Sequence, residues 1–209
     1  VLRGIDGVTI TSTAASYSSA DFGNGDNKPG LVYDGTAAGD QAGSWVGRMG
    51  DLFADGANNE ELIITAPFNA GFGKFHSGTV YVVPGGIGAT LPAGLDLGTL
   101  GTGAPAGIVI AGAVVSDGEK GVFAVGAGDW NGDGVPELLV GHPNATVVDG
   151  IEVFLGAGRA RLLDGTLLAT LISVDLASNA SGYRLLEVTG EVGQATIGTG
   201  LAMGDANGD

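Results

Sequence analysis

The chain contains no cysteine. This excludes disulfide staples, thiolate nucleophiles and zinc–sulfur centres together. Histidine is almost as scarce: His76 and His142 are the only two, so acid–base or metal chemistry built on imidazole has little to work with. Lysine and arginine number 8 against 23 aspartates and glutamates, a formal net charge of −15. Such a surface repels phosphate backbones and anionic lipids, which argues against nucleic acid and acidic membranes as partners. No apolar stretch is long enough to cross a bilayer as a helix, and no signal peptide or lipidation motif is visible, although a leader could have been removed ahead of Val1. The Gly-x-Ser-x-Gly elbow, the Walker loop and the Gly-x-Gly-x-x-Gly fingerprint are all missing.

Glycine is what the chain has in excess: 41 residues of 209, with 44% hydrophobic and only 15% charged positions. Average glycine usage is about 7%. Without a Gly-X-Y period and with abundant Val, Ile and Leu, this composition predicts many short strands joined by tight turns. The length is enough to bury a sizeable core.

The acidic residues are clustered. Nine of the 23 lie in three loops: Asp51, Asp55, Glu60, Glu61, Asp129, Asp133, Glu137, Asp205 and Asp209. The fullest loop runs Gly128-Asp129-Trp130-Asn131-Gly132-Asp133-Gly134-Val135-Pro136-Glu137. Asp129, Asn131 and Asp133 place side-chain oxygens at alternate positions, Gly134 permits a sharp turn, Val135 can offer its carbonyl, and Glu137 adds a carboxylate. Hard cations such as calcium take six to eight oxygens at about 2.3–2.6 Å from flexible loops of this kind. A solvated turn is the plainer reading, since Asn-Gly and Asp-Gly turn readily anyway. Recurrence favours the cation. Asp51, Asp55 and Ala57, with either Asn59 or Glu61 as the closing donor, form a weaker version in which Phe53 occupies a donor position and cannot coordinate. Asp205, Asn207 and Asp209 begin a third.

The loops start at Asp51, Asp129 and Asp205, spaced by 129 − 51 = 78 and 205 − 129 = 76 residues. Other landmarks keep step. Glycine-led strands are expected at Gly7, Gly78 and Gly150, and again at Gly30, Gly107 and Gly182. Apolar–Asp–apolar steps fall at Asp21-Phe22, Leu95-Asp96-Leu97 and Val174-Asp175-Leu176. Segments at Ser44-Trp45-Val46-Gly47, Val122-Phe123-Ala124-Val125 and Thr196-Ile197-Gly198 lead into the acidic loops. Leu162–Ile172 reads equally well as helix. Four short strands per unit predict an all-β fold, a β-propeller built of four-stranded antiparallel blades that stack on one another. The expected division is 1–42 as the last strands of one blade, 43–118 and 119–193 as full blades, and 194–209 as the start of another. Two complete blades do not close a ring, so a piece of a longer propeller is expected.

These residues resemble FG-GAP repeats, the units of integrin alpha-chain propellers and of many bacterial surface proteins. The stretch from Gly121 through Gly128-Asp129, Glu137-Leu138-Leu139-Val140-Gly141-His142-Pro143 and Gly150-Ile151-Glu152-Val153-Phe154 is similar to the family pattern. So is Asp51 through Thr65-Ala66-Pro67 and Gly78-Thr79-Val80-Tyr81-Val82-Val83. The departures are Ala42, Lys120 and Ile197 where the family carries phenylalanine, Thr-Ala-Pro and Gly-His-Pro for Gly-Ala-Pro, and Glu137 for aspartate. Asp51 to Pro67 spans 67 − 51 = 16 residues and Asp129 to Pro143 spans 143 − 129 = 14, so two extra residues are expected in the first loop. The resemblance implies structural Ca2+ between the first two strands of each blade and an extracellular or cell-surface location. It also implies a non-enzymatic role as an adhesion or assembly scaffold, whose partners are a protein or glycan ligand or copies of itself. An ancillary domain of a secreted hydrolase or lyase, or a filament subunit, is the alternative. EF-hand and dockerin readings fail because Val140 stands at loop position 12 within an apolar, strand-like run. Both histidines, together with Trp45, Trp130, Phe123 and Tyr183, are expected to be structural. Asn144-Ala145-Thr146 and Asn179-Ala180-Ser181 match the glycosylation acceptor pattern at about chance frequency.

Overall fold

The computed structural model describes residues 2–3, 9–10, 32–54, 59–85, 94–102, 107–113, 124–178 and 182–203. The chain is mostly β-sheet. It begins with two short strands, β1 (Leu2–Arg3) and β2 (Thr9–Ile10), followed by β3 (Val32–Asp34). Then come β4 (Trp45–Arg48), β5 (Leu62–Ala66), β6 (Thr79–Val83), β7 (Gly94–Asp96) and β8 (Ile108–Ala111). The second half holds β9 (Ala124–Gly128), β10 (Glu137–His142), β11 (Val147–Asp149), β12 (Glu152–Phe154) and β13 (Arg159–Leu163). After these come α1 (Gly165–Leu168), the one α-helix among the described residues, then β14 (Ser173–Asp175) and β15 (Arg184–Thr189).

Two sheets dominate. In the first, β4, β5, β6 and β8 form an antiparallel meander, and β14 adds to the β8 edge in parallel. In the second, β9, β10, β13 and β15 form another antiparallel meander. Among the described residues, none of the sheets closes on itself. Each of the two sheets thus contains a four-stranded antiparallel meander, and the first carries β14 as a fifth strand.

Period-two alternation tells each strand of the first sheet which way to face. Ile63, Val80, Val82, Ile108 and Ile110 point to one side and are buried together with Leu138, Val140 and Leu163 of the second sheet, Leu168 of α1 and Val174 of β14. Ile64, Ala66, Tyr81 and Val83 point to the other side, against Leu95, Leu97 and Leu100 and the half-buried Tyr33 of β3. Each fully buried Ile, Leu or Val contributes roughly 1.5–3 kcal/mol relative to exposure, so the join between the sheets is an apolar core.

Two of the apolar–Asp–apolar steps turn out to be crossing strands, and the third, Asp21-Phe22, lies outside the described residues. β7 pairs in parallel with β3, and β14 pairs in parallel with β8, each lying against the last strand of the preceding unit. Asp96 and Asp175 then end their strands in the same way, accepting N–H bonds from Gly98 and Ala177 at 2.8 Å. The expectation of purely antiparallel blades is corrected by this parallel addition.

A second correction concerns phase. The segment opened by Gly150 was expected to match the Gly78 strand. Instead β11 and β12 form a separate two-stranded hairpin, with Ile151 100% exposed, and β13 takes the place beside β10. Gly158 (φ 82) is the counterpart of Gly78 (φ 78). An added Cβ on Gly158 would stand 2.3 Å from the backbone nitrogen of Ile197. Arg159 and Arg161 alternating along β13 disguised it as polar, whereas Gly150-Ile151-Glu152-Val153-Phe154 carries the more strand-like composition. The Leu162–Ile172 ambiguity resolves as the end of β13 followed by α1, which Asp164 caps by accepting the N–H of Leu167 at 3.0 Å.

Candidate metal loop

The connection from β9 to β10 is a turn folded around its own carboxylates. Asp129 Oδ1 accepts N–H bonds from Gly132 (2.8 Å) and Asp133 (3.2 Å), and its Oδ2 accepts one from Gly134 (2.9 Å). Asn131 Oδ1 accepts from the Asp133 N–H at 2.9 Å, and Asp133 Oδ1 from the Val135 N–H at 2.8 Å. Gly132 (φ 77) and Gly134 (φ 86) adopt the left-handed conformation that lets successive N–H groups turn inward. The Asn131 amide then bridges Asp133 Oδ2 (3.1 Å) and Glu137 Oε1 (3.2 Å).

Glu137 forms the floor. Its residue surface is 0% exposed, and Oε2 accepts N–H bonds from Trp130 (2.8 Å) and Asn131 (3.3 Å). Burial pushes its carboxyl above the ordinary range. The N–H groups of Trp130, Asn131 and Gly165 offset this in part, and the Asp133 charge adds to it. Asp129, Asn131 and Asp133 are exposed, and Val135 is half-buried against the core. The structure therefore brings Asp129, Asn131, Asp133 and Glu137 into one hydrogen-bonded network with an open mouth and a buried base.

The Asp51 loop repeats the base of this arrangement. Glu61 is fully buried, and its Oε2 accepts the N–H of Leu52, the residue after Asp51, at 2.5 Å. Trp130 stands in the same relation to Asp129 and Glu137. The Met49 N–H bonds to the Glu61 carbonyl at 2.9 Å and the Glu61 N–H to Gly50 at 3.0 Å, matching Glu137 opposite Gly128. Of the two candidates for closing carboxamide or carboxylate, Glu61 holds the corresponding place and the half-buried Asn59 does not. Among the described residues, Asp51 Oδ1 is buried without a hydrogen-bond partner. Phe53 packs on the core between the sheets. Asp55 and Ala57 lie outside the described residues, as do Asp205, Asn207 and Asp209.

Among the described residues, no group of three or more His, Asp or Glu side chains is arranged as a ready cation cage. The donor chemistry nevertheless fits a hard cation. All the side-chain donors are oxygens, and an ionised carboxylate oxygen that accepts one N–H keeps capacity for a second interaction.

No protein-family model and no curated protein matches this chain. What can be said of the loop comes from its own residues.

Sequence reasoning missed a basic cluster on the second sheet. Arg161 Nε reaches Glu187 Oε2 at 2.5 Å, Arg184 reaches the same oxygen at 2.9 Å, and Arg159 lies 3.7 Å from Oε1. Burial raises the Glu187 carboxyl, but the three guanidinium groups outweigh it and hold it below its ordinary value. Arg161 also donates to the Leu176 carbonyl at 2.9 Å, and Lys74 pairs with Asp175. Both interactions fasten β14 to its neighbours. Two arginines at i and i+2 on a strand were the available signal. His142 is buried beside them, and burial together with the charges of Arg161 and Arg159 lowers its pKa to about 4, so it is neutral at physiological pH. A shallow cleft of about 410 Å³ near Thr36, Asn69, Tyr81 and Phe72 is lined by a polar pin. Asn69 donates to Asp40 (2.6 Å) and Thr36 (2.7 Å) and accepts from Thr79 (2.6 Å), holding the 36–40 turn on the first sheet. Of the four aromatics expected to pack, Trp45 and Tyr183 do, Trp130 is 61% exposed, and Phe123 lies outside the described residues. No described helix is long and apolar enough to cross a membrane.

Proposed function

We propose that this chain is a segment of an extracellular, calcium-stabilised β-propeller of the FG-GAP type, serving as a rigid scaffold that presents loops to a protein or glycan or assembles with copies of itself. One observation carries the reading. The same buried carboxylate accepts the same loop N–H in two units, through Leu52 with Glu61 and Trp130 with Glu137. An acidic turn that recurs with its floor intact is a repeated part rather than a chance turn. The stacking of two four-stranded meanders through one apolar core supports blades, and Met203 lying beside Gly128 supports a further unit beginning there.

In the Asp129 loop, calcium would be held by Asp129, Asn131, Asp133 and Glu137 with the Val135 carbonyl, neutralising clustered charge and stiffening the turn. The Asp51 loop, with Phe53 packed inward, offers fewer donors. The role proposed is structural, with no reaction assigned to these residues.

The test is titration calorimetry and thermal unfolding with calcium, on the wild type and on the Asp129→Ala, Asp133→Ala double variant. Heat of binding and a rise in Tm are expected for the wild type, and both should be largely lost in the variant. A wild type that neither binds calcium nor gains stability from it defeats the proposal.

A further inference from the structure

The second sheet ends where the first one continues. In the first sheet β8 is not an edge, because β14 lies against it in parallel, with Ser173 opposite Val109, Val174 opposite Ile110 and Asp175 opposite Ala111. The earlier β3–β7 pair has the same form, with Gly94, Leu95 and Asp96 opposite Val32, Tyr33 and Asp34. Both additions use the pattern small–apolar–Asp. β15 is the counterpart of β8, as their pairings show. Ile110 stands opposite Val80 and Ile108 opposite Val82, just as Val188 stands opposite Ala160 and Leu186 opposite Leu162. Among the described residues, nothing pairs with the outer edge of β15.

The side chains repeat the contrast. Ile108 and Ile110 are 0% exposed under the second sheet and β14, whereas Leu186 and Val188, on the same face of their own sheet, are 48% and 45% exposed. Backbone groups agree as well. The Val109 N–H donates to the Ile172 carbonyl at 3.1 Å, and the Leu176 N–H to the Ala111 carbonyl at 3.0 Å. Their counterparts on β15 are the Glu187 N–H and the Thr189 carbonyl. An unpaired strand edge beside an apolar strip is a template for strand addition.

We propose that β15 is a docking edge for an extended small–apolar–Asp–apolar segment, added in parallel with its small residue opposite Glu187, its apolar residue opposite Val188 and its Asp opposite Thr189. Main-chain bonds to Glu187 and Thr189 supply the pairing. The apolar residues before and after the Asp pack beside Val188 and Leu186, as Val174 and Leu176 pack beside Ile110 and Ile108. The inference rests on two strand pairings within this chain and holds whether or not the acidic loops take up calcium.

The experiment uses the intact chain and a synthetic peptide of residues 171–178, Leu-Ile-Ser-Val-Asp-Leu-Ala-Ser, with amide hydrogen exchange read over Arg184–Thr189. Saturable slowing of the Glu187 amide by tenfold or more is expected. It should be absent with a peptide carrying Val174→Pro and absent in the Val188→Glu protein, whose unfolding temperature checks that it is folded. No slowing at millimolar peptide, or equal slowing in Val188→Glu, overturns the proposal. So does a Glu187 amide already protected without peptide. If that protection grows with protein concentration, the edge belongs to a second copy. If it is independent of concentration, the chain covers the edge itself.

Discussion

The buried carboxylate of Glu137 gives the most direct access to the physics of the loop. Replacing it with alanine removes the acceptor of the Trp130 and Asn131 N–H bonds and leaves a space beneath the turn. A buried donor left unsatisfied costs about 1–3 kcal/mol, so Glu137→Ala should lose about 2–5 kcal/mol in the presence of chelator. At about 2–4 °C per kcal/mol for a chain of this size, the loss is easily seen in Tm. Glu137→Gln behaves differently. Burial already favours the neutral form of this carboxyl in the fold, and the glutamine carbonyl still accepts both backbone N–H bonds while only the Asn131 amide loses its acceptor at Oε1, so in chelator the loss should stay under about 1.5 kcal/mol. The sign of the pH dependence follows. A carboxyl whose folded pKa lies above its unfolded value favours the fold most below the unfolded value of 4.5, and that contribution fades as pH rises through the folded pKa. The wild type should therefore gain on Glu137→Gln as chelated samples are acidified from neutrality towards pH 4.5. With calcium at a hundred times its Kd the wild type gains about 2.7 kcal/mol, and Glu137→Gln should gain less because the charge is gone. Denaturant unfolding with and without chelator measures all of these. A loss above about 3 kcal/mol for Glu137→Gln in chelator, or a difference that moves the opposite way with pH, would refute the reasoning, since the N–H groups would then require the charge.

Three further outcomes are expected. His142, with its pKa lowered to about 4 from 6.5, favours the fold fully above pH 6.5 and progressively less down to about pH 4. On the order of 3 kcal/mol of that slope should vanish in His142→Asn, followed by unfolding at stepped pH. Gly158→Ala forces a left-handed φ on alanine and a Cβ against the Ile197 backbone. It should cost about 2–5 kcal/mol, and a neutral result would mean that Gly158 and the Ile197 backbone do not approach this closely. Leu163→Ala, in a fully buried position of β13, should lose about 2–5 kcal/mol, whereas Ile151→Ala at the hairpin tip should stay within about 0.5 kcal/mol. The reverse order would restore the phase first read from Gly150.

Much of the site was legible because its chemistry is local. Asp129, Asn131, Asp133 and Glu137 fall within nine consecutive residues, and turn chemistry alone draws them into one network. Glu61 was harder to choose over Asn59, since extra residues in that loop obscure the count, and only its bonds to Leu52, Met49 and Gly50 decide it. The arginines around Glu187 were out of reach, because Arg161 and Glu187 are brought together by strand register across 26 residues.

Composition and periodicity by themselves determined that this chain makes short strands and that acidic turns recur between them. Glycine frequency, period-two alternation and Asx turns act between near neighbours in the chain and need no tertiary partner to be read. Tertiary structure alone decided which strand follows β10, that β14 crosses to the preceding sheet, and that no described strand pairs with the outer edge of β15. Those outcomes depend on which apolar faces are buried together: Gly150–Leu155 has the composition of an inner strand, yet Arg159–Leu163 is the segment that pairs with β10 and places Leu163 in the shared core.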